Sequence, residues 1–594
     1  MATAADTMNS AANIDGVSRH PKGLYVLFAT EMWERFSFYS MLALFTLYLR
    51  HSTEGFGWTA HDATSLYSNY LMFVYASPLI GGLIADKITG YRKAVMIGGF
   101  FFMAGHGLLS IPALWAVYAA LTCLVIGNGF FKPNVSTMVG NLYPEGSHLK
   151  DRAYNIFYMG INVGAFLAPI VMEVVRQKFG FHPAFAVAAF GMVISVGILW
   201  YFKNLVMAAD RKRLVIGKHV IENVGATGDS QQAADTAATA TDAPPHGVSD
   251  QDEGGHAKGA GGDAGRSADM LAVPNWKRVM ALIVIFLIVI VFWMAFHQNG
   301  STLTYFADDN TDWNVTGTIS NSINAFWVLT LTFPLVWFWG FLDRRGKEPS
   351  TPTKMAIGMT LTGLSFLVLF CGASIGEKMT KGPQQLSAGE FRINERVLTN
   401  LGAAGVSKDV LDKIQSAKGQ DGKNTIFGVK FAALSDKAIA DRDKENTEKG
   451  KPLLTAEEKT RLKSGELQLL HAVNAVSPGA GDANRAAILQ NAYLFRVSPF
   501  WLILAYAIVT LGELMLSPMG LSLVSKVAPI SIRGLMMGGW FVATAAGNKL
   551  TQIGVYWDIW LQSTFFLVLA LMALFMAVVL AILLKPLKKA MPGV

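Results

Sequence analysis

Residues 23–50 read GLYVLFATEMWERFSFYSMLALFTLYLR. The stretch is long and apolar enough to cross a bilayer as a helix, which takes roughly 20 residues. Its middle nevertheless carries Glu31, Glu34 and Arg35. Each such group costs at least about 2.5–3.5 kcal/mol at the centre of a membrane helix. Offsets of three and four residues set Glu31 beside both others on one face, and Tyr39 continues that face one turn on. A single Glu–Arg pair would serve as a bolt between helices. Three ionisable groups on one stripe point instead to a polar cavity.

The rest of the chain has the same character. Of 594 residues, 52% are apolar and 15% charged, where a soluble domain carries roughly 25% charged. The mean hydropathy is +0.35. These values exclude an ordinary soluble enzyme, a disordered chain and a nucleic-acid binder, despite a net charge of +8. Cys123 and Cys371 lie inside apolar runs, so no disulfide framework is expected.

Apolar stretches of spanning length occur at 23–50, 62–85, 93–113, 114–135, 152–176, 181–206, 277–298, 318–342, 353–373, 498–524, 534–558 and 562–585. They predict an all-α polytopic membrane protein with twelve transmembrane helices. Residues 1–20 are polar and show no cleavable signal peptide. Lys and Arg gather in alternate short loops, for example Lys87, Arg92, Lys93, Arg344, Arg345 and Lys347, and near the end at Lys588 and Lys589. The positive-inside rule then makes both termini cytoplasmic. The basic excess is largely a topology signal.

Two segments interrupt the spans. Residues 207–275 contain no Phe, Trp or Tyr and are rich in Gly, Ala, Asp and Ser. They are expected to form a disordered cytoplasmic linker. Residues 374–497 carry 34 charged residues in 124 and read as a small external insertion with helical runs such as Ala456–Leu470. The expected organisation is a tail at 1–22, a six-helix bundle at 23–206 and the linker at 207–275. Helices seven to nine follow at 276–373, the insertion at 374–497, the last three helices at 498–586 and a tail at 587–594. Six plus six helices is a carrier architecture with the site between the halves. An internal echo supports it: Gly82-Leu-Ile-Ala-Asp86-Lys87 with Gly90-Tyr-Arg92-Lys93 in one half, Gly340-Phe-Leu-Asp343-Arg344-Arg345-Gly346-Lys347 in the other.

Further charges sit where charge is costly. Lys132, in Gly127-Asn-Gly-Phe-Phe-Lys132-Pro133-Asn134, could snorkel to the headgroups. Pro133 and the glycines favour a broken helix with its lysine turned inward. Glu513 is the one charge between Arg496 and Lys526. Unpaired and buried, it either takes up a proton or meets a cationic ligand group. His297 follows Trp293 by one turn. A histidine at a span end is commonly interfacial, but it titrates nearest physiological pH. With Tyr75, Tyr158, Asn162, Asn324 and Trp540, acid on one half and base on the other suggest a ligand bearing both an amine and a carboxylate. No metal cluster, phosphate loop or catalytic triad is visible, so neither metal nor cofactor is expected.

Glu31-Met-Trp-Glu34-Arg35-Phe-Ser-Phe-Tyr39 resembles the first-helix ExxERFxYY motif of the proton-coupled oligopeptide transporter (POT/PTR) family of the major facilitator superfamily. Phe157-Tyr158-Met-Gly-Ile-Asn162-Val-Gly164 resembles its fifth-helix signature. Gly512-Glu513 to Ser517-Pro518-Met-Gly520, Met536-Met-Gly-Gly-Trp540-Phe541 and Gly547-Asn548 are similar to its tenth and eleventh helices. The resemblance implies inward symport of di- and tripeptides with protons by alternating access, in the plasma (inner) membrane and as a functional monomer. It implies that Glu513 binds the peptide amine with Ser517 nearby, and that Arg35 and Lys132 face its carboxylate. Asn162 and Asn324 would meet the peptide backbone, and Tyr39, Tyr75, Tyr158, Trp293 and Trp540 would line the cavity. Glu31 and Glu34 would exchange protons and pair alternately with Arg35 and Lys132.

Three departures stand out. Ser40-Met41-Leu42 replaces the family's Gly-Met-Arg, leaving Arg35 and Lys132 as the positive pole. Phe296-His297-Gln298 replaces Phe-Glu-Gln, so His297 takes the place of an acidic proton site, with an unperturbed pKa of about 6.5. His61, at the outer end of the second span, is a weaker candidate for proton exchange. Finally, the aromatic-free linker stands where many bacterial relatives insert two helices. Carriers of peptide-like drugs or nitrate, and a membrane peptide sensor, are the competing readings. Glu513 argues against nitrate and the intact charge stripe against a sensor.

Overall fold

The computed structural model describes residues 20–143, 149–210, 213–216, 219–222, 273–313, 317–379, 382–448, 450–529 and 532–592. It is helical almost throughout. The first half comprises α1 (Lys22–Arg50), α2 (Ala60–Ile84), α3 (Tyr91–Leu108), α4 (Leu114–Asn141), α5 (Leu149–Phe179) and α6 (Phe181–Tyr201). The second comprises α7 (Asn275–Phe296), the short α8 (Thr302–Asp309), α9 (Gly317–Asp343), α10 (Thr351–Lys378), α11 (Phe500–Val527), α12 (Arg533–Leu550) and α13 (Gln562–Ala590). Among the described residues, eight helices are long and apolar enough to cross a membrane, and the protein is an integral membrane protein. The charge stripe of α1 keeps it outside that set, and α3, α11 and α12 fall outside it as well.

Several element ends differ from the sequence expectation. The third helix stops at Leu108, and Ser110–Pro112 form the turn into α4. The seventh ends at Phe296, where a 3-10 turn over His297–Gly300 leads into α8. Helix α12 gives way at Thr551 to a 3-10 segment ending at Asp558. The break expected at Pro133 does not occur: α4 runs straight through it. The helix α2 makes room for it with glycine. A Cβ on Gly81 would strike the backbone at Gly129, whose carbonyl lies one turn before Pro133. A Cβ on Gly82 would sit 3.8 Å from the Pro133 ring. The proline ring and the carbonyl it leaves without an amide donor therefore face a surface stripped of side chains.

Each half has its own core. Leu24, Phe45, Tyr67, Phe102, Phe131 and Phe185 belong to one buried cluster in the first half. Leu282, Met355, Leu516 and Leu580 anchor a second, and Phe306, Leu369, Tyr506 and Trp557 a third. The loops of the internal echo share a feature beyond their residues: Gly90 and Gly346 both adopt positive φ, at 76° and 64°. Only glycine enters that region without strain.

Within 207–275, expected to lack structure, Arg213–Ile216 and His219–Glu222 form an antiparallel hairpin. The aliphatic runs Leu214-Val215-Ile216 and Val220-Ile221 give this piece strand propensity that the Gly/Ala/Asp-rich remainder lacks. That remainder, and most of the tail at 1–22, lie outside the described residues. The segment 374–497 encloses an apolar core of Phe391, Ile393, Leu401, Ile414, Leu469 and Ile488. Its run Ala456–Leu470 is two helices, Ala456–Leu462 and Gly465–Val476, because the Ser464 side chain caps the second by accepting from the Leu467 amide.

Packing at Gly81 predicts an asymmetry between glycines. Gly81→Ala should lower the thermal unfolding temperature in detergent, because overpacking costs about 1–3 kcal/mol. Gly107→Ala, where a Cβ meets nothing within 4 Å, should be neutral or stabilising, since alanine gains up to about 1 kcal/mol over glycine in a helix.

Candidate functional site

Helix α1 carries the charged stripe inward, where α4 and α5 close on it. Glu31 and Glu34 are fully buried and Arg35 is 5% exposed. The Arg35 guanidinium grips Glu34 through both Nε and Nη2, the latter at 2.5 Å from Oε1. Its Nε also lies 3.4 Å from Oε1 of Glu31. Lys132 donates to that same Glu31 oxygen at 2.5 Å. Its side chain keeps 31% exposure, so access to the cluster lies on the lysine side. The second Glu31 oxygen is buried with no hydrogen-bond partner among the described residues.

The sequence placed Lys132 facing inward, and it does so without a helix break. Of the pairings that the resemblance implied, Arg35 with Glu34 and Lys132 with Glu31 are the close ones here. Glycine explains how α5 fits against this charge: a Cβ on Gly164 would lie 2.9 Å from the Phe36 amide and 3.2 Å from the Arg35 Cβ. Asn162, one turn-face away, donates to the Tyr158 carbonyl at 2.9 Å. Arg35 also sits over the Phe38 ring at 4.6 Å.

Across the molecule, Asn324 of α9 donates to Glu513 of α11 at 3.0 Å and to the Thr510 hydroxyl at 2.9 Å. Glu513 forms no ion pair among the described residues. Thr510 was missed in the sequence. Its one signal is a position three residues before Glu513, on the same helical face.

His297 stands at the break after α7, its ring stacked on Trp293 at 5.3 Å and 22° and tilted against Tyr75 of the first half at 5.4 Å. Its Nε2 and the Trp293 Nε1 are buried without hydrogen-bond partners among the described residues. Trp540 packs edge-on to Phe286 at 6.1 Å. Ser517 lies on α11, but its side chain is outside the described residues. His61 is exposed in the first turn of α2, where it meets Asp62 at 3.2 Å instead of joining the buried cluster.

The two halves touch at the end of the bundle that carries the insertion. There Thr46 donates to the Gly300 carbonyl at 3.0 Å, and Lys549 to Asn69 Oδ1 at 2.5 Å. Midway along, Ser322 donates to the Phe166 carbonyl at 2.9 Å.

The Asn324–Glu513 pair makes a testable prediction. Hydrogen bonds to charged groups are worth about 1.5–3 kcal/mol, so Asn324→Ala should lower thermal stability in detergent. Asn324→Asp would set two carboxylates side by side, and like charges that close cannot both ionise freely. Its deficit should therefore be larger at pH 8 than at pH 5. An equal deficit at the two pH values would show that the carboxylates do not meet.

A family model described as the POT family matches residues 92–401 and 473–557. The chain is 27% identical over 611 residues to an uncharacterized transporter, YclF, of Bacillus subtilis (strain 168), covering 98% of this chain and 96% of that protein. It is 26% identical over 590 residues to a di-/tripeptide transporter of Lactococcus lactis subsp. lactis (strain IL1403), covering 97% of each. Among solved structures, a crystal structure of a variant peptide transporter POT in complex with alafosfalin superposes with a TM-score of 0.63 at 25% identity, covering 100% of each chain. With both halves matched and a full-length likeness in fold, the chain belongs to the POT family, a family of membrane transporters of the major facilitator type.

Proposed function

We propose that the protein is a proton-coupled symporter that imports di- and tripeptides by alternating access between its halves. The observation that carries this reading is the placing of charge. The first-half cluster holds two carboxylates and two cations, Glu31 and Glu34 with Arg35 and Lys132. Glu513 of the second half is held by a neutral amide and, among the described residues, by no cation. A peptide amine would supply the missing positive charge at Glu513. Its carboxylate, arriving at Lys132 and Arg35, would leave the cluster one negative charge in excess. A proton on Glu31 or Glu34 cancels that excess, and binding and protonation are thereby linked. The name of the Lactococcus relative supports a di- or tripeptide substrate.

In this reading twelve helices cross the plasma (inner) membrane with both termini in the cytoplasm. The insertion lies outside, and residues 207–275 are a cytoplasmic linker. Contacts between the halves at the insertion-bearing end then describe an outwardly closed conformation. The transporter works as a monomer with protons as its coupling ion and no other cofactor. Asn162, Tyr39, Tyr158, Ser517 and Trp540 complete the peptide cavity. His297 serves where relatives use an acid: its imidazolium, between the Trp293 and Tyr75 rings, would be held by cation–π attraction.

Reconstituted in liposomes, the protein should accumulate labelled dialanine only under an inward proton gradient. Failure to accumulate any di- or tripeptide under that gradient would refute the mechanism. Glu513→Gln should lose at least about tenfold in dialanine affinity, the equivalent of 1.4 kcal/mol. His297→Gln should lose gradient-driven uptake while keeping counterflow exchange. Equal loss in both assays, or none, would remove His297 from coupling.

A further inference from the structure

Two buried carboxylates at the insertion-bearing end each join three parts of the chain. Asp309 closes α8 in the second half and is 2% exposed. Arg392 of the insertion pairs with it, and Lys430 of the insertion lies 3.4 Å away. Arg50, the last residue of α1 in the first half, approaches at 3.9 Å with its guanidinium 4.0 Å over the Tyr305 ring. Asp558, 7% exposed, accepts from the Ala60 amide of α2 at 3.1 Å and from Asn394 of the insertion at 3.3 Å. Arg396 fastens the insertion beside them, donating to the Trp560 carbonyl at 2.9 Å and to Gln562 at 3.0 Å. The insertion also touches the first half, where Lys423 donates to the Thr53 carbonyl at 2.6 Å.

Opening this end would take Arg50 and the Ala60 amide away with the first half. A carboxylate built to pair across the gap would then lose its partner, and a buried charge stripped of its partner is strongly destabilising. Arg392, Lys430 and Asn394 move with the second half, because the insertion is fastened to it beside both carboxylates. They would go on satisfying Asp309 and Asp558 after the first half has left.

Resting on the alternating-access reading above, we propose that the insertion is a working part of the gate, whose Arg392, Lys430 and Asn394 keep the two gate carboxylates satisfied as the halves separate and so favour opening at that end. The cations are suited to the task. Burial pulls the Lys430 ammonium down, but Asp308, Asp309 and Glu390 outweigh it and hold the group above the ordinary lysine range. Arg392, likewise buried, is held above the ordinary arginine range by Asp309 and Asp558. Both stay charged throughout the range in which a transporter works. The Lys423 contact acts in the opposite sense, because it must break on opening.

The test uses the full chain in lipid nanodiscs, with Cys123 and Cys371 replaced by serine. Nitroxide labels go on Ile111 and Met379, exposed positions at this end of the two halves, and electron–electron distance distributions are recorded at pH 5 and pH 8, with and without dialanine. Wild type should show a short and a long component. Arg392→Gln and Lys430→Gln should each reduce the long component at least about threefold, and Lys423→Ala should enlarge it. The double variant Asp309→Asn/Arg392→Gln should restore the long component, since it removes the charge that Arg392 compensates. Hydrogen exchange at the Leu401 and Ile414 amides reports that the insertion stays folded. With the insertion folded, an unchanged or enlarged long component in both single glutamine variants overturns the proposal. If one of those variants unfolds the insertion, the other decides. A wild type with a single component under every condition instead overturns the transport reading on which the proposal rests.

Discussion

Charge placed inside a low-dielectric interior has to be balanced, and the rest of this structure is arranged around that requirement. Glu31, Glu34, Arg35 and Lys132 form a compact group in which each carboxylate meets a cation. Glu513 is the exception, a carboxylate with a neutral partner. In the proposed function, a balanced group on one side and an unbalanced acid on the other would leave a place for a zwitterion. A site of fixed charge without that imbalance would bind a neutral solute as readily.

The packing serves the same end. Glycines occur where helices must come close enough to seal the charge from lipid: Gly81 against Gly129, and Gly164 against Phe36 and Arg35. The membrane offers little hydrophobic drive for one helix to find another, so backbone proximity and polar contacts decide the arrangement. At the insertion-bearing end polar contacts take over from glycine. Asp309 and Asp558 gather partners from both halves and from the insertion, and this end is shut in the conformation described here.

The part of this that was legible in the sequence follows from what a bilayer forbids. Lipid cannot hydrogen-bond a bare backbone, so apolar runs had to be helices, and charges within them had to turn inward. That logic marks the cluster, Glu513 and the inward Lys132 from the sequence alone. It failed where tertiary contact overrides local pattern. Pro133 suggested a break, and the facing glycines of α2 removed the need for one. Arg35 lies beside Glu31, as helical spacing has it, but its closest grip is on Glu34, a choice that depends on what α4 and α5 leave free. Nothing in its local sequence marks Asp309 as a meeting point, because its partners Arg392 and Lys430 lie some 80 and 120 residues further on. The hairpin at 213–222 was hidden by the composition of the segment around it.

The central claim is that charge balance in the first-half cluster ties proton uptake to peptide binding. It is tested most directly by following protons and peptide together in liposomes loaded with a pH-sensitive dye, for wild type and for Glu34→Gln. Wild type is predicted to acidify the interior as dialanine enters. Glu34→Gln is predicted to exchange dialanine in counterflow with no accompanying acidification. Peptide-driven acidification of wild-type size in Glu34→Gln, or peptide entry without acidification in the wild type, would contradict the account.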